Sequence, residues 1–168
     1  KLKVISGELH IGGVWQNIAD YPLYKQSEED GNYTAMLWND PRGAMATGLT
    51  LNQTSKDPVK RQVFRDIRFR QAMSLAINRE EINEVIFYGR GVARQASPPP
   101  PPASRFFEEW MASYFAEYDV NRANQLLDEM GLQRDSSNEF RLGPNGQPFA
   151  IVFEYTQRQS QSAPLLKE

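Results

Sequence analysis

Asp66-Ile67-Arg68-Phe69-Arg70-Gln71-Ala72-Met73-Ser74-Leu75-Ala76-Ile77-Asn78-Arg79-Glu80-Glu81-Ile82 carries the strongest periodicity in the chain. Phe69, Ala72, Met73, Ala76 and Ile77 fall at i, i+3, i+4, i+7 and i+8, the spacing of one helical face. Arg68, Arg70, Gln71 and Ser74 lie on the other side. Asp66 is a good N-cap, so the pattern predicts a helix over 67–77. Asn78 then opens a second helix over 79–87, with Glu81 three residues on in a capping-box-like arrangement. Ile82, Val85 and Ile86 read as its buried stripe, and Gly89 and Gly91 end it.

Toward the C-terminus, Pro98 to Pro102 is an unbroken proline run. It reads as extended, polyproline-like and stiff. Ser104 caps a predicted helix over 105–117 with Phe106, Phe107, Trp110, Met111, Tyr114 and Phe115 on one broad face. Asp119 caps another over 120–130, with Val120, Ala123, Leu126, Leu127 and Met130 along one side and Gly131 as its stop. Gly143-Pro144-Asn145-Gly146 is a hairpin-type turn, and Phe149 to Tyr155 reads as a strand. Toward the N-terminus, Lys1 to Ser6 reads as a short strand. Asp20 caps a helix from Tyr21 to about Ser27. Strands over 33–38 and about 46–52 flank the turn-rich Asn39-Asp40-Pro41-Arg42-Gly43. Strands and helices intermingle, so the expected class is α/β (α+β), a mixed sheet flanked by helices.

The chain has 168 residues, a formal net charge of −2, one histidine and no cysteine. That length can bury one sizeable core. Near-neutral charge gives no general reason to expect nucleic acid or an anionic membrane as partner. No apolar run approaches the ~18 residues of a membrane span. Absence of cysteine excludes a Cys/His nucleophile, a disulfide and a thiolate metal site. His10 alone is too little for the usual metal clusters, and no Gly-x-Ser-x-Gly elbow accompanies it. It reads as a surface or cleft polar residue. No catalytic residue, metal or cofactor is expected. The chain opens inside a strand-like stretch and closes on what reads as a helix's first turn, so a piece of a longer protein is expected.

The basic stretch Lys56, Lys60, Arg61, Arg65, Arg68 and Arg70 is interrupted by Asp57 and Asp66. It reads as a solvated helix face whose arginines pair with nearby acids, ahead of a nucleic-acid surface. The aromatic stripe from Phe106 to Phe115 reads as helix core ahead of a partner-binding face. Trp15 follows Gly12 and Gly13 in a loop, where it suits a cleft wall or plain packing.

Four segments in order resemble the ABC-transporter extracellular solute-binding proteins of family 5, the peptide/nickel-binding class. Ser6-Gly7-Glu8-Leu9 is similar to their Gly-Glu motif. The stretch from Asp66 to Ile82 matches their Arg-x-Ala helix and capped Asn-Arg turn. Tyr118-Asp119-Val120-Asn121-Arg122-Ala123-Asn124-Gln125-Leu126-Leu127-Asp128-Glu129-Met130-Gly131-Leu132 looks like their Tyr-Asp helix. Phe140 to Pro148 resembles their hairpin. The family usually has an acid at His10, and a charged tip where Gln147 stands. The resemblance implies a two-lobed periplasmic-binding-protein type II fold, with residues 1–51 the last part of lobe 1 up to a hinge strand and 52–168 the first part of lobe 2. It implies capture of an oligopeptide-like or related small ligand for an ABC importer, no enzyme activity, and permease subunits as partners. The expected place is periplasmic or extracellular, membrane-associated as a lipoprotein. Ligand-binding candidates are Gly12, Gly13, Val14, Trp15 and Asn52: the glycines admit close approach, Trp15 offers a flat face, and Asn52 has a donor and an acceptor at the hinge. Self-association is expected where apolar faces lack neighbours. The alternative is an interaction module that holds a partner protein with its aromatic helix and proline run.

Overall fold

A computed structural model describes residues 1–12, 18–38 and 48–154. In chain order the helices are α1 (Leu2–Ile5), α2 (Tyr21–Gln26), α3 (Glu28–Gly31), α4 (Pro58–Arg65), α5 (Ile67–Leu75), α6 (Arg79–Phe87), α7 (Glu109–Ser113) and α8 (Val120–Glu129), with a 3-10 turn at Ile18–Asp20.

The core sits where α5 crosses α8 and α4 folds over it. Val63 and Phe64 of α4, Phe69, Ala72 and Leu75 of α5, Ala123, Leu126 and Leu127 of α8, and Leu132 are buried together. Phe149 joins them edge-on, its ring 6.1 Å from Phe64 and 5.9 Å from Phe69. Burial of aromatic and aliphatic side chains of this kind supplies most of a domain's stabilisation.

Local capping sets where these helices start. Asp66 accepts from the Arg68 amide at 2.9 Å, Asn78 from Glu81 at 3.2 Å and Asp119 from Arg122 at 2.8 Å. Each satisfies a donor that the helix leaves free. The Glu81 carboxylate returns to the Asn78 side-chain amide at 2.9 Å. Helix α4 is one that the spacing argument passes over. Its signature is Asp57-Pro58, an N-cap whose carboxylate accepts from Val59 and Lys60, followed by proline in the first turn.

Several expectations are corrected. Helix α5 stops at Leu75, with Ala76 as its C-cap and the Ile77 amide turning to the Ser74 carbonyl at 3.2 Å in place of an α-helical bond. Its buried face is therefore Phe69, Ala72 and Leu75, with Ala76 exposed. Helix α6 has no buried residue, and Val85 of its expected stripe is 64% exposed. Helix α7 is short. Ser104 holds the Phe106 amide in a turn at 3.1 Å, and Phe115 adopts φ 52°, which no α-helix continues through. The proline run does not stay extended throughout, since Ala103 donates to the Pro100 carbonyl at 3.2 Å.

The expected mixed sheet does not form among the described residues. Lys1–Ser6 contains α1 rather than a strand. Residues 33–38, 48–52 and 149–154 carry no ladder, and the β pairing described is two isolated antiparallel bridges, Arg134 with Arg141 and Leu142 with Pro148. A strand needs a neighbour at about 4.8 Å to take its amides and carbonyls. The 33–38 segment is tied instead to α2 and α3. The Tyr33 hydroxyl donates to the Tyr24 carbonyl at 2.6 Å and the Ala35 amide to the Glu28 carboxylate. At the other end the Gly143–Gly146 turn does close as read, with Gly146 donating to Gly143 at 2.9 Å and Gly143 to Gln147 at 2.8 Å.

Candidate functional site

Gly12 and Asn52 are the two predicted site residues inside the described stretches. Gly13, Val14 and Trp15 lie outside them. Gly12 is exposed, and a side chain built there would meet only Val4 and Leu9. Asn52 is also exposed. Its Oδ1 accepts from the Thr54 amide at 3.1 Å and the Thr54 hydroxyl at 3.0 Å, while its carbonyl takes the Ser55 amide at 3.2 Å. The acceptor of Asn52 thus organises a turn. Its amide nitrogen has no partner among the described residues. Gly12 and Asn52 have separate neighbours, and no described contact brings them together.

A groove of about 220 Å³ lies between α5 and the stretch from Gln95 to Phe115, with Arg70, Gln71 and Ser74 on one side and Tyr114 and Phe115 on the other. Ser74 is the hub of its wall. The hydroxyl donates to the Phe115 carbonyl at 2.7 Å and accepts from Arg79 Nη2 at 2.7 Å and Gln95 Nε2 at 2.8 Å. Arg79 Nη1 reaches the carbonyls of Ser74 at 2.8 Å and Ala116 at 3.0 Å. One guanidinium therefore ties the end of α5 to the aromatic segment. Burial pushes the Arg79 pKa down from its ordinary value, with Glu117 pulling the other way. Neither Ser74 nor Gln95 stood out in the sequence. The signal available was a small hydroxyl on the polar side of α5, in its last turn.

The basic stretch turns out to serve the backbone more than acids. Arg61 donates to Ser55 at 2.7 Å, Arg65 to Gln53 at 2.9 Å, and Arg70 to Phe64 and Arg65, each at 2.9 Å. Arg68 alone of these pairs with an acid, reaching Asp66 at 2.7 Å. It also donates to the Glu129 carbonyl at 2.8 Å, joining the start of α5 to the end of α8. The Arg68 guanidinium holds the Asp66 carboxyl below the usual carboxylate range. Among the described residues no group of three or more His, Asp or Glu side chains converges as a metal site, and no helix is long and apolar enough to cross a membrane.

The aromatic segment is more open than a helix core. Phe106 is 66% exposed and Trp110 56%, while Trp110 and Tyr114 meet edge-on at 6.0 Å. The expected buried stripe is thus reduced to the half-buried Phe107, Met111 and Phe115, of which Phe115 packs against the core.

The family profile described as bacterial extracellular solute-binding proteins, family 5 middle, matches residues 2–168. Among solved structures the chain is similar to an "oligopeptide-binding protein OppA", at 45% identity and TM-score 0.69 over 88% of this chain. The match covers 24% of that protein, so the chain spans about a quarter of its length. No curated protein matches.

Proposed function

The chain belongs to family 5 of the bacterial extracellular solute-binding proteins, and from that premise we propose that it captures an oligopeptide-like solute for an ABC importer, as part of a larger two-lobed binding protein. The family match across nearly the whole chain carries this reading. Likeness to an oligopeptide-binding protein supports the ligand class and a periplasmic-binding-protein fold. Residues 1–51 then contribute to one lobe and the hinge, and 52–168 to the other. The permease subunits of the importer are the partners. The site is periplasmic or extracellular, with the complete protein membrane-associated.

A binding role asks for rigid walls and no nucleophile. The packing of α4, α5 and α8 provides such a wall. The ligand wall comprises Gly12, Gly13, Val14, Trp15 and Asn52, and the unpartnered Asn52 amide nitrogen supports its place there. Capture between two lobes buries the ligand from both sides, while the cost of fixing its position is largely the same for one.

Calorimetry with tri- and tetrapeptides tests this on the 168-residue chain and on a longer polypeptide that carries it. The longer polypeptide should bind with a Kd of about 1 μM, and the chain alone should move toward about 1 mM. Trp15→Ala and Asn52→Ala in the longer polypeptide should weaken binding with little loss of stability. Absence of peptide binding in the longer polypeptide would overturn the ligand class. Equal affinity in the shorter chain would overturn the two-lobe account.

A further inference from the structure

Arg70 spends only one nitrogen on the fold. Its Nη1 donates to the carbonyls of Phe64 and Arg65, each at 2.9 Å. Nε and Nη2 have no partner among the described residues. Those two nitrogens share one edge of the planar guanidinium, the edge that takes both oxygens of a carboxylate side-on. The acid nearest in sequence does not compete for them. Asp66 Oδ1 accepts from the Arg68 amide and Nε, and its Oδ2 from Arg68 Nη2.

Arg70 lines the groove of about 220 Å³ described above, together with Ile67, Gln71, Tyr114 and Phe115. Ile67 is 51% exposed and Tyr114 50%, so apolar surface faces solvent beside the cation. Tyr114 is held edge-on to Phe115 at a centroid distance of 4.8 Å, which presents its ring in a defined orientation. Gln71 reaches the Tyr114 hydroxyl only at 3.4 Å, and its Oε1 has no partner among the described residues. One charged fork, one polar rim and an apolar floor therefore converge in a space that suits a single ring.

We infer that this groove binds a carboxylate carried on an aromatic group, with the carboxylate on Arg70 Nε and Nη2 and the ring against Tyr114 and Ile67. The site is separate from Asn52 and stands whether or not the chain captures peptides. Two sources present this chemistry, a free aromatic acid and a peptide ending in phenylalanine.

The test is an NMR titration of the full 168-residue chain with phenylacetate, phenylacetamide and N-acetyl-glycyl-phenylalanine. Phenylacetate should bind with a Kd on the order of 1 mM and perturb Ile67, Arg70, Gln71 and Tyr114. Phenylacetamide, the same shape without the charge, should bind about tenfold or more weakly, and added salt should weaken phenylacetate. Tighter binding of the peptide would assign the site to peptide C-termini, and tighter binding of phenylacetate to free acids. Arg70→Lys keeps the charge but loses the fork and should lose most of the affinity, with circular dichroism checking the fold. Equal binding of acid and amide, perturbations away from α5 and Tyr114, or no saturation by either carboxylate would overturn the inference. The acid–amide pair decides it even if Arg70 variants fail to fold.

Discussion

The α5–α8 pair and the aromatic segment from Phe106 to Phe115 are both dense in apolar residues at helical spacing, yet they end in different environments. Phe69, Ala72, Leu75, Ala123, Leu126 and Leu127 are buried against one another, whereas Phe106, Trp110 and Tyr114 remain half exposed or more. The difference is a facing element. Helices α5 and α8 are clamped at both ends, by the Asp119 amide on the Leu75 carbonyl at 2.9 Å and by Arg68 on the Glu129 carbonyl at 2.8 Å. The aromatic segment touches the body along one edge, through Phe115 and the Ser74–Gln95 network. Apolar spacing states that a helix could bury a face. Burial requires a second surface held in register with it.

The sharpest way to break this contrast is to remove Leu75. It is fully buried, so Leu75→Ala should cost about 2–5 kcal/mol in urea unfolding. A loss below about 1 kcal/mol would mean that the α5–α8 interface is not the core. The link between the two regions comes next. Arg79→Lys keeps a charge but cannot reproduce the fork onto Ser74 and Ala116, and should cost about 1.5–3 kcal/mol. Hydrogen exchange should then rise at the Phe115–Ala116 amides more than in α8. Uniform exchange across both would show that Arg79 does not couple them.

A smaller effect separates charge from packing at the start of α5. The Asp66 carboxyl is held below its ordinary range by Arg68. A carboxylate with a depressed folded pKa adds stability that is full above its unfolded value, near about 3.9, and is lost as pH falls through the lower folded value. Stability should therefore decline in acid below about pH 4 through this group. Asp66→Asn retains a capping side chain, so it should cost only about 0.5–1 kcal/mol at neutral pH and flatten that acid slope. An unchanged acid slope would remove Asp66 from the account. The smallest effect is expected at Trp110. Trp110→Ala should change stability by no more than about 0.5 kcal/mol, because half of the side chain is already in water. A loss comparable to that of Leu75→Ala would show that the aromatic segment belongs to the core after all.

The starts of α5, α6 and α8 were legible because capping is local. Asp66, Asn78 and Asp119 all cap as their types and positions imply, and α6 runs over Arg79–Phe87 as the pattern has it. Helix α8 ends one residue early, at Glu129, followed by Gly131 at φ 78°. The buried face of α5 was misplaced by the spacing argument, which chose Ala76 and Ile77 over Leu75. Both patterns are consistent with a helix, and only the position of α8 selects between them. Of the candidate site, Asn52 was legible as a polar residue at the end of an expected strand, and it stands in a turn with Thr54 and Ser55 instead. The groove beside Arg70 was not, since its sides come from residues as far apart as Gln71 and Tyr114, which lie 43 positions apart.

Sequence alone determined the family, the caps at Asp66, Asn78 and Asp119 and the Gly143–Gly146 turn, because each of these rests on residue types within a few positions of one another. Tertiary structure decided the rest. It selected which helical faces are buried, and it left the expected strands without ladders among the described residues. It also directed most of the basic-stretch arginines to backbone carbonyls instead of acids. Those outcomes depend on partners distant in sequence, such as Ser74 with Phe115 across 41 positions and Arg68 with Glu129 across 61. A caps-and-spacing argument reaches about one turn of helix, and a donor 61 positions from its acceptor lies beyond that reach until the chain has folded.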